Sequence, residues 1–195
     1  VGQKSVLGRI TKMPPSTETS PQQPLEELQE MFCRSVRDLS AVDTQLRPRS
    51  KSAAWSIQQI VGHLLLTYSS TGDILRERRS KGTPTKKPVT LKQKLMQFGV
   101  VQMGYFPRRR KAPLMVQPES NVEPHSGAEL ASTIESDIAS LSKLIDACEQ
   151  TLGRGRAVTH AVMGPMSMQQ WRKFQLVHGR HHVRQILAIR AEYGL

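Results

Sequence analysis

Apolar residues along this chain recur at steps of three and four, the period of one helix face, in four long stretches. The first stripe is Leu25, Leu28, Phe32, Val36, Leu39, Val42 and Leu46. Ser20 suits its N-cap and Pro21 its first turn, where a missing N–H costs nothing, and Pro48 ends it. The second opens at Ser56, which forms a capping box with Gln59, and carries Ile57, Ile60, Val61, Leu64, Leu65, Tyr68, Ile74 and Leu75 up to "RERRSKG". The third starts at Ser126 with Glu129 and runs through Leu130, Ile134, Ile138, Leu141, Ile145, Cys148 and Leu152 to "GRGR". The fourth starts at Ser167 with Gln170 and reaches about Ala191. No stretch alternates with period two, so no strand is predicted.

Between the second and third stripes lies a long connection, Gly82 to Pro124, with Pro84, Pro88, Pro107, Pro113, Pro118 and Pro124. Inside it, Thr90 and Gln93 form another capping box before "LKQKLMQFGVVQMGY", which predicts one shorter helix. Four long helices with one apolar face each bury those faces best as an all-α four-helix bundle. Residues 21–195 then form a single domain, preceded by a flexible arm over 1–20 that is rich in Pro, Ser, Thr and Gln. The links at 47–55 and 153–166 are short and suit neighbouring helices; the long crossover permits a topology other than up-down-up-down.

Composition adds bounds. At 195 residues the chain can bury a core, and its longest apolar cluster, "IVGHLLL", falls far short of the ~20 residues a membrane span needs. Cys33 and Cys148 make no metal-type or disulfide-rich pattern. One bridge between helices is compatible with them, but the usage leans to a reducing, cytoplasmic setting. No apolar export segment is read in 1–23. Net charge is +12, concentrated in the crossover as "RERRSKGTPTKK" and "PRRRK". Polycationic loops can hold a polyanion such as DNA. Aromatic content of 5% and the lack of a helix-turn-helix or zinc-finger pattern favour a solvated loop, or one that guides an anionic substrate.

The chemistry sits in "WRKFQLVHGRHHVRQIL", which holds three of the chain's six histidines. With His178 at zero on the helix wheel, His182 lies about 40° away, in the stripe that holds Trp171, Phe174, Gln185 and Ile189. His181 lies about 60° to the other side, at the stripe's edge. The i, i+4 pair can reach one metal ion, and can equally form a hydrogen-bonded polar layer. A third ligand from a facing helix is offered by His63, a lone histidine among core residues beside Gly62. Burying imidazoles without partners costs ~1–3 kcal/mol each, and convergence on a cation removes that cost. Gln185 can orient a ligand from one turn away. His160 can line the pocket mouth or tie down its loop, and His125 reads as exposed. Trp55, Trp171 and Phe174 read as packing residues.

"WSIQQIVGHL", followed much later by "THAVMGPMSMQQWRKFQLVHGRHHVRQI", resembles the DinB superfamily of metal-binding four-helix bundles. It is similar in particular to a branch of unassigned function with a His-x-x-x-Gly-Pro stretch before the last helix; Ala161 departs from the Pro usual there. The likeness covers Leu25 to Leu187. It implies metal binding by His63, His178 and His182, with His181 as the extra histidine that precedes the last ligand. It further implies a divalent ion (Zn, Ni, Fe or Co) and a metal-dependent transferase or isomerase that uses a low-molecular-weight thiol. Hydrolysis is the other chemistry considered, although no general base is evident on the second or fourth helix. The partner would be a small-molecule substrate, and a homodimer is compatible. The alternative is a non-catalytic metal-holding or stress-related bundle whose basic loop meets DNA.

Overall fold

The computed structural model describes residues 20–51, 53–106, 112–120 and 122–195. The arm expected over 1–20 lies outside the described residues except for Ser20, as does the basic run Arg108 to Lys111. The elements are α1 (Gln23–Val36), α2 (Ile57–Ser80), α3 (Leu91–Gln97), α4 (Gly127–Leu152), β1 (Val158–His160), β2 (Gly164–Met166) and α5 (Met168–Tyr193). The four long helices form the bundle, and three of them begin at the capping boxes predicted at Ser56, Ser126 and Ser167. In each, the serine side chain accepts a backbone N–H and the third helical residue returns the bond, so two orphan donors are satisfied at once. The box at Thr90 starts α3 in the same way.

Cross-helix bonds give the directions. Asp38 just beyond α1 takes Arg190 near the end of α5, while Glu27 at the start of α1 pairs with Arg180, so α1 and α5 run parallel. Cys148 and Leu75 meet near the ends of α4 and α2, which are therefore parallel too. Gln175 reaches back to Thr71, and Arg172 to Asp146 and Glu149, so α5 opposes both α2 and α4. The order is up-down-down-up, and the long crossover is what joins two parallel helices.

Four expectations need correction. The first helix stops at Val36, not at Leu46. Beyond it, Ser40 and Asp43 exchange side-chain bonds with each other's backbone (3.1 and 3.2 Å), and this local pairing competes with helix. Leu39 stays buried, its carbonyl taking the N–H of Gly127 at 2.8 Å, but Val42 is 76% exposed. The same helix starts at Gln23 with Pro24, not Pro21, in its first turn, and Ser20 bonds the N–H of Gln22 from outside the helix. Its successor is not a neighbour either: α1 packs on α5 and α4, and α2 on α4 and α5, so the link between α1 and α2 spans a diagonal. Finally, the link between α4 and α5 contains an antiparallel hairpin, with Val158 facing Met166 and His160 facing Gly164. Strands of three residues are too short to show alternation, and Gly164, at φ +71°, is the turn signal that marks them.

The hairpin closes one end of the bundle. His160 holds its turn: Nδ1 accepts from the N–H groups of Val162 (3.1 Å) and Met163 (3.2 Å), while the ring packs on Trp171 and Phe174. These two bonds tie down the loop. Cys33 and Cys148 are free and buried, each thiol near a carbonyl, so no bridge joins them. The core runs from Leu28 and Phe32 through Leu64, Ile134 and Ile145 to Trp171 and Ile186.

Two stability predictions follow from this packing. A Cβ on Gly179 would lie 2.1 Å from Cδ1 of Leu28, which is fully buried. Gly179→Ala should therefore destabilise by on the order of 1–3 kcal/mol in urea denaturation, with little change in helix content. Burial lowers the pKa of His160 to about 4, and protonating Nδ1 would also break both turn bonds. The unfolded chain takes up this proton near pH 6.5, before the folded one does, so stability falls as pH drops from there to about 4. His160→Asn, which keeps an acceptor but cannot titrate, should lose less stability than wild type between pH 7 and 4 in thermal melts.

Candidate metal centre

The second turn of α2 faces the middle of α5, and each contributes imidazole to the gap. His63 comes from "IVGHLLL", a segment whose neighbours Ile60, Val61 and Leu64 are core residues, so its register in α2 carries it inward. His178 and His182 share one face of α5 as i and i+4. Ring centroids lie 5.4 Å apart for His63 and His178, 4.8 Å for His63 and His182, and 4.7 Å for His178 and His182. All three residues are buried, at 4%, 6% and 6% exposure. One ring nitrogen from each falls within 4.8 Å of the other two, a grouping that can hold a metal ion.

Hydrogen bonds fix which nitrogens are presented. The Nδ1–H of His63 donates to the Val116 carbonyl at 2.7 Å, which leaves Nε2 with its lone pair. That carbonyl belongs to a short 3-10 turn (Leu114–Val116) that packs on α2. Nδ1–H of His182 donates to Oε1 of Gln185 at 2.8 Å, again leaving the Nε2 lone pair free to bind a metal ion. Gln185 is exposed, yet its amide also meets Nε2 of His181 at 3.3 Å, so one side chain aligns two rings. Nε2 of His178 and Nε2 of His182 face each other at 3.1 Å. His178 has no hydrogen-bond partner at Nδ1. Its plane is set by stacking instead, between Phe106 at 4.9 Å and Phe174 at 5.7 Å.

Electrostatics keeps the rings neutral. Burial pulls the His63 pKa below its ordinary value, offset in part by the Val116 bond. His178 sits well below it through burial and then the nearby His182 and His63. Burial, then His63, takes His182 to about 3. Neutral imidazoles have no proton to lose before they ligate. Nitrogens on one tetrahedral zinc sit roughly 3.3 Å apart, given Zn–N distances of about 2.0–2.1 Å. The 3.1 Å approach of His178 to His182 is close to that spacing, and the tautomers at His63 and His182 are the ones a ligand needs. The donor set therefore fits a divalent transition ion.

Other expected residues fall around this centre. His181 is partly buried at its edge, its ring 5.0 Å from His182 and 5.1 Å from Phe106. His160 serves its turn and reaches the site only through Phe174. His125 is exposed, 4.0 Å from Glu129. Gly62 lies beneath the crossover, but a Cβ there would make only ordinary contact with Pro118 at 3.6 Å. Three contributors escaped the sequence. Trp55, read from the sequence as a packing residue, lies against the His63 ring at 4.9 Å. Phe106 sits in a connection without apolar period, and a backbone carbonyl such as that of Val116 leaves no trace in residue type.

A model of the DinB superfamily matches residues 24–186, which includes every element from α1 into α5 and all three histidines. No curated protein and no solved structure matches the chain. Since Gln185 holds the ring that presents Nε2 of His182, Gln185→Leu should weaken metal affinity about 10–100-fold, measured by chelator competition, while the melting temperature of the metal-free protein stays near that of wild type.

Proposed function

The chain belongs to the DinB superfamily, and on that premise we propose that it is a divalent-metal-dependent enzyme whose ion is held by His63, His178 and His182. The observation that carries this reading is the convergence of three buried, neutral imidazoles from two helices, with ring nitrogens within 4.8 Å of one another. Three protein ligands resemble a catalytic coordination sphere more than a closed structural one, which takes four. When bound, a divalent ion supplies Lewis acidity that lowers the pKa of a water or thiol.

The residues themselves favour an anionic partner. All three donors are neutral, so they leave the ion's charge uncompensated in a poorly solvated place. Among the described residues, the hydrogen bonds of the three rings go to Val116, Gln185 and each other, with no carboxylate. A thiolate of a low-molecular-weight thiol would supply the missing negative charge, and this favours S-transfer or isomerisation over hydrolysis, which also needs a general base. Trp55, Phe106 and Phe174 form apolar walls against the imidazoles and would exclude water from that centre.

Protein purified without an affinity tag should carry one metal per chain by elemental analysis. His63→Ala and His178→Ala should each abolish that content and lower the melting temperature to that of chelator-treated wild type. The metal-loaded protein should turn over at least one acceptor in a screen of low-molecular-weight thiols. Metal without turnover would support the non-catalytic alternative. Wild type that binds no divalent ion would overturn both.

A further inference from the structure

Helix α3 is turned inside out. Its inward side is largely polar, with Met96 as its apolar contact to the core: Gln97 is 3% exposed, and its amide donates to the carbonyls of Met163 (2.7 Å) and Pro165 (2.9 Å) and accepts from Gln170. Gln93 lies against Gly164 of the hairpin. The outward side is apolar, with Leu91 74% and Leu95 65% exposed, and Phe98, the helical-backbone residue that caps its C-terminus, 58% exposed. Positions i, i+4 and i+7 share one helix face, so these three form a stripe. Met103 and Tyr105, just beyond, are exposed as well. Single exposed leucines are ordinary, but a stripe whose helix is anchored by its amides is a surface shaped for apolar contact.

Charge identifies the contact. Gly82 to Pro118 contains no acidic residue. Lys86, Lys87, Lys92 and Lys94 are exposed, and among the described residues none of them forms an ion pair. Lys92 lies about 100° to one side of Leu91 and Lys94 about 60° to the other, so cations flank the stripe. Apolar centre and lysine margins are the pattern of a helix that lies in the bilayer interface. A second copy would bring the same cations face to face. Duplex DNA would engage the lysines yet leave Leu91, Leu95 and Phe98 in water.

We propose that α3 docks this protein on an anionic lipid surface, with Leu91, Leu95 and Phe98 entering the headgroup–acyl boundary and the lysines on the lipid headgroups. The full chain should co-sediment with vesicles of equal parts phosphatidylcholine and phosphatidylglycerol, and far less with pure phosphatidylcholine. A protein of charge +12 is attracted to any anionic surface, so the deciding variant keeps the charge. Leu91→Ser/Leu95→Ser/Phe98→Ser should fold normally, because the stripe is exposed, and lose at least about tenfold in vesicle affinity. Fluorescence of the single variant F98W should be quenched by brominated acyl chains, above the wild-type background. The proposal is overturned if the triple variant binds vesicles like wild type or if F98W shows no added quenching. It is also overturned if the triple variant only shifts a monomer–dimer equilibrium in sedimentation velocity, or if duplex DNA alone is bound and the triple variant binds it unchanged.

Discussion

Three imidazoles held together out of water are the constraint around which this bundle is arranged. Burial of His63, His178 and His182 makes their charged forms costly, and neighbouring imidazoles add to that cost for His178 and His182. Neutral, closely spaced nitrogen donors are the result, and such a group is stable in a core only when something answers its lone pairs. The protein itself answers only the N–H side of two rings, with the Val116 carbonyl accepting from His63 and the Gln185 amide oxygen from His182. What it leaves are lone pairs converging on one point.

The crossover does more than connect α2 to α4. Since those helices are parallel, the chain must travel the length of the bundle between them. On that journey it sets Phe106 on His178, delivers the Val116 carbonyl to His63 and fastens α3 to the hairpin through Gln97. The surroundings of the candidate centre thus come half from α5, as Phe174, His181 and Gln185, and half from residues that belong to no bundle helix, Trp55, Phe106 and Val116. The crossover's support comes from polar ties and from a few buried apolar residues, Val100, Val101 and Val116, so the same segment can carry both the walls of the centre and an apolar stripe that faces outward.

Much of this was legible in the residue pattern. Four apolar stripes and four capping boxes are local signals, and tertiary structure left the boxes and three of the stripes in place. The pairing of His63 with His178 and His182 was legible because histidine among leucines on a core face is rare enough to demand a partner. Other features depended on contacts that local pattern does not encode. The first helix kept its apolar period past Val36, but Ser40, Asp43 and the approach of Gly127 turned the chain there. The hairpin was too short to alternate. Phe106 was one aromatic in a proline-rich stretch, and Trp55 looked like an ordinary residue before a cap, so the walls of the centre became visible only in three dimensions.

Arg172 adds a consequence of its own. It is 1% exposed and held by Asp146 at 2.6 Å and Glu149 at 2.9 Å on α4. Leucine packing tolerates sliding, because one greasy neighbour resembles the next. A cation sealed in the interior does not: if α5 slipped by one turn, about 5.4 Å, the guanidinium would leave its carboxylates and be stranded, at a cost of several kcal/mol. This ion pair therefore works as a detent on the axial position of α5. By setting that height it also sets where, six residues further along, the first imidazole of the pair comes to rest.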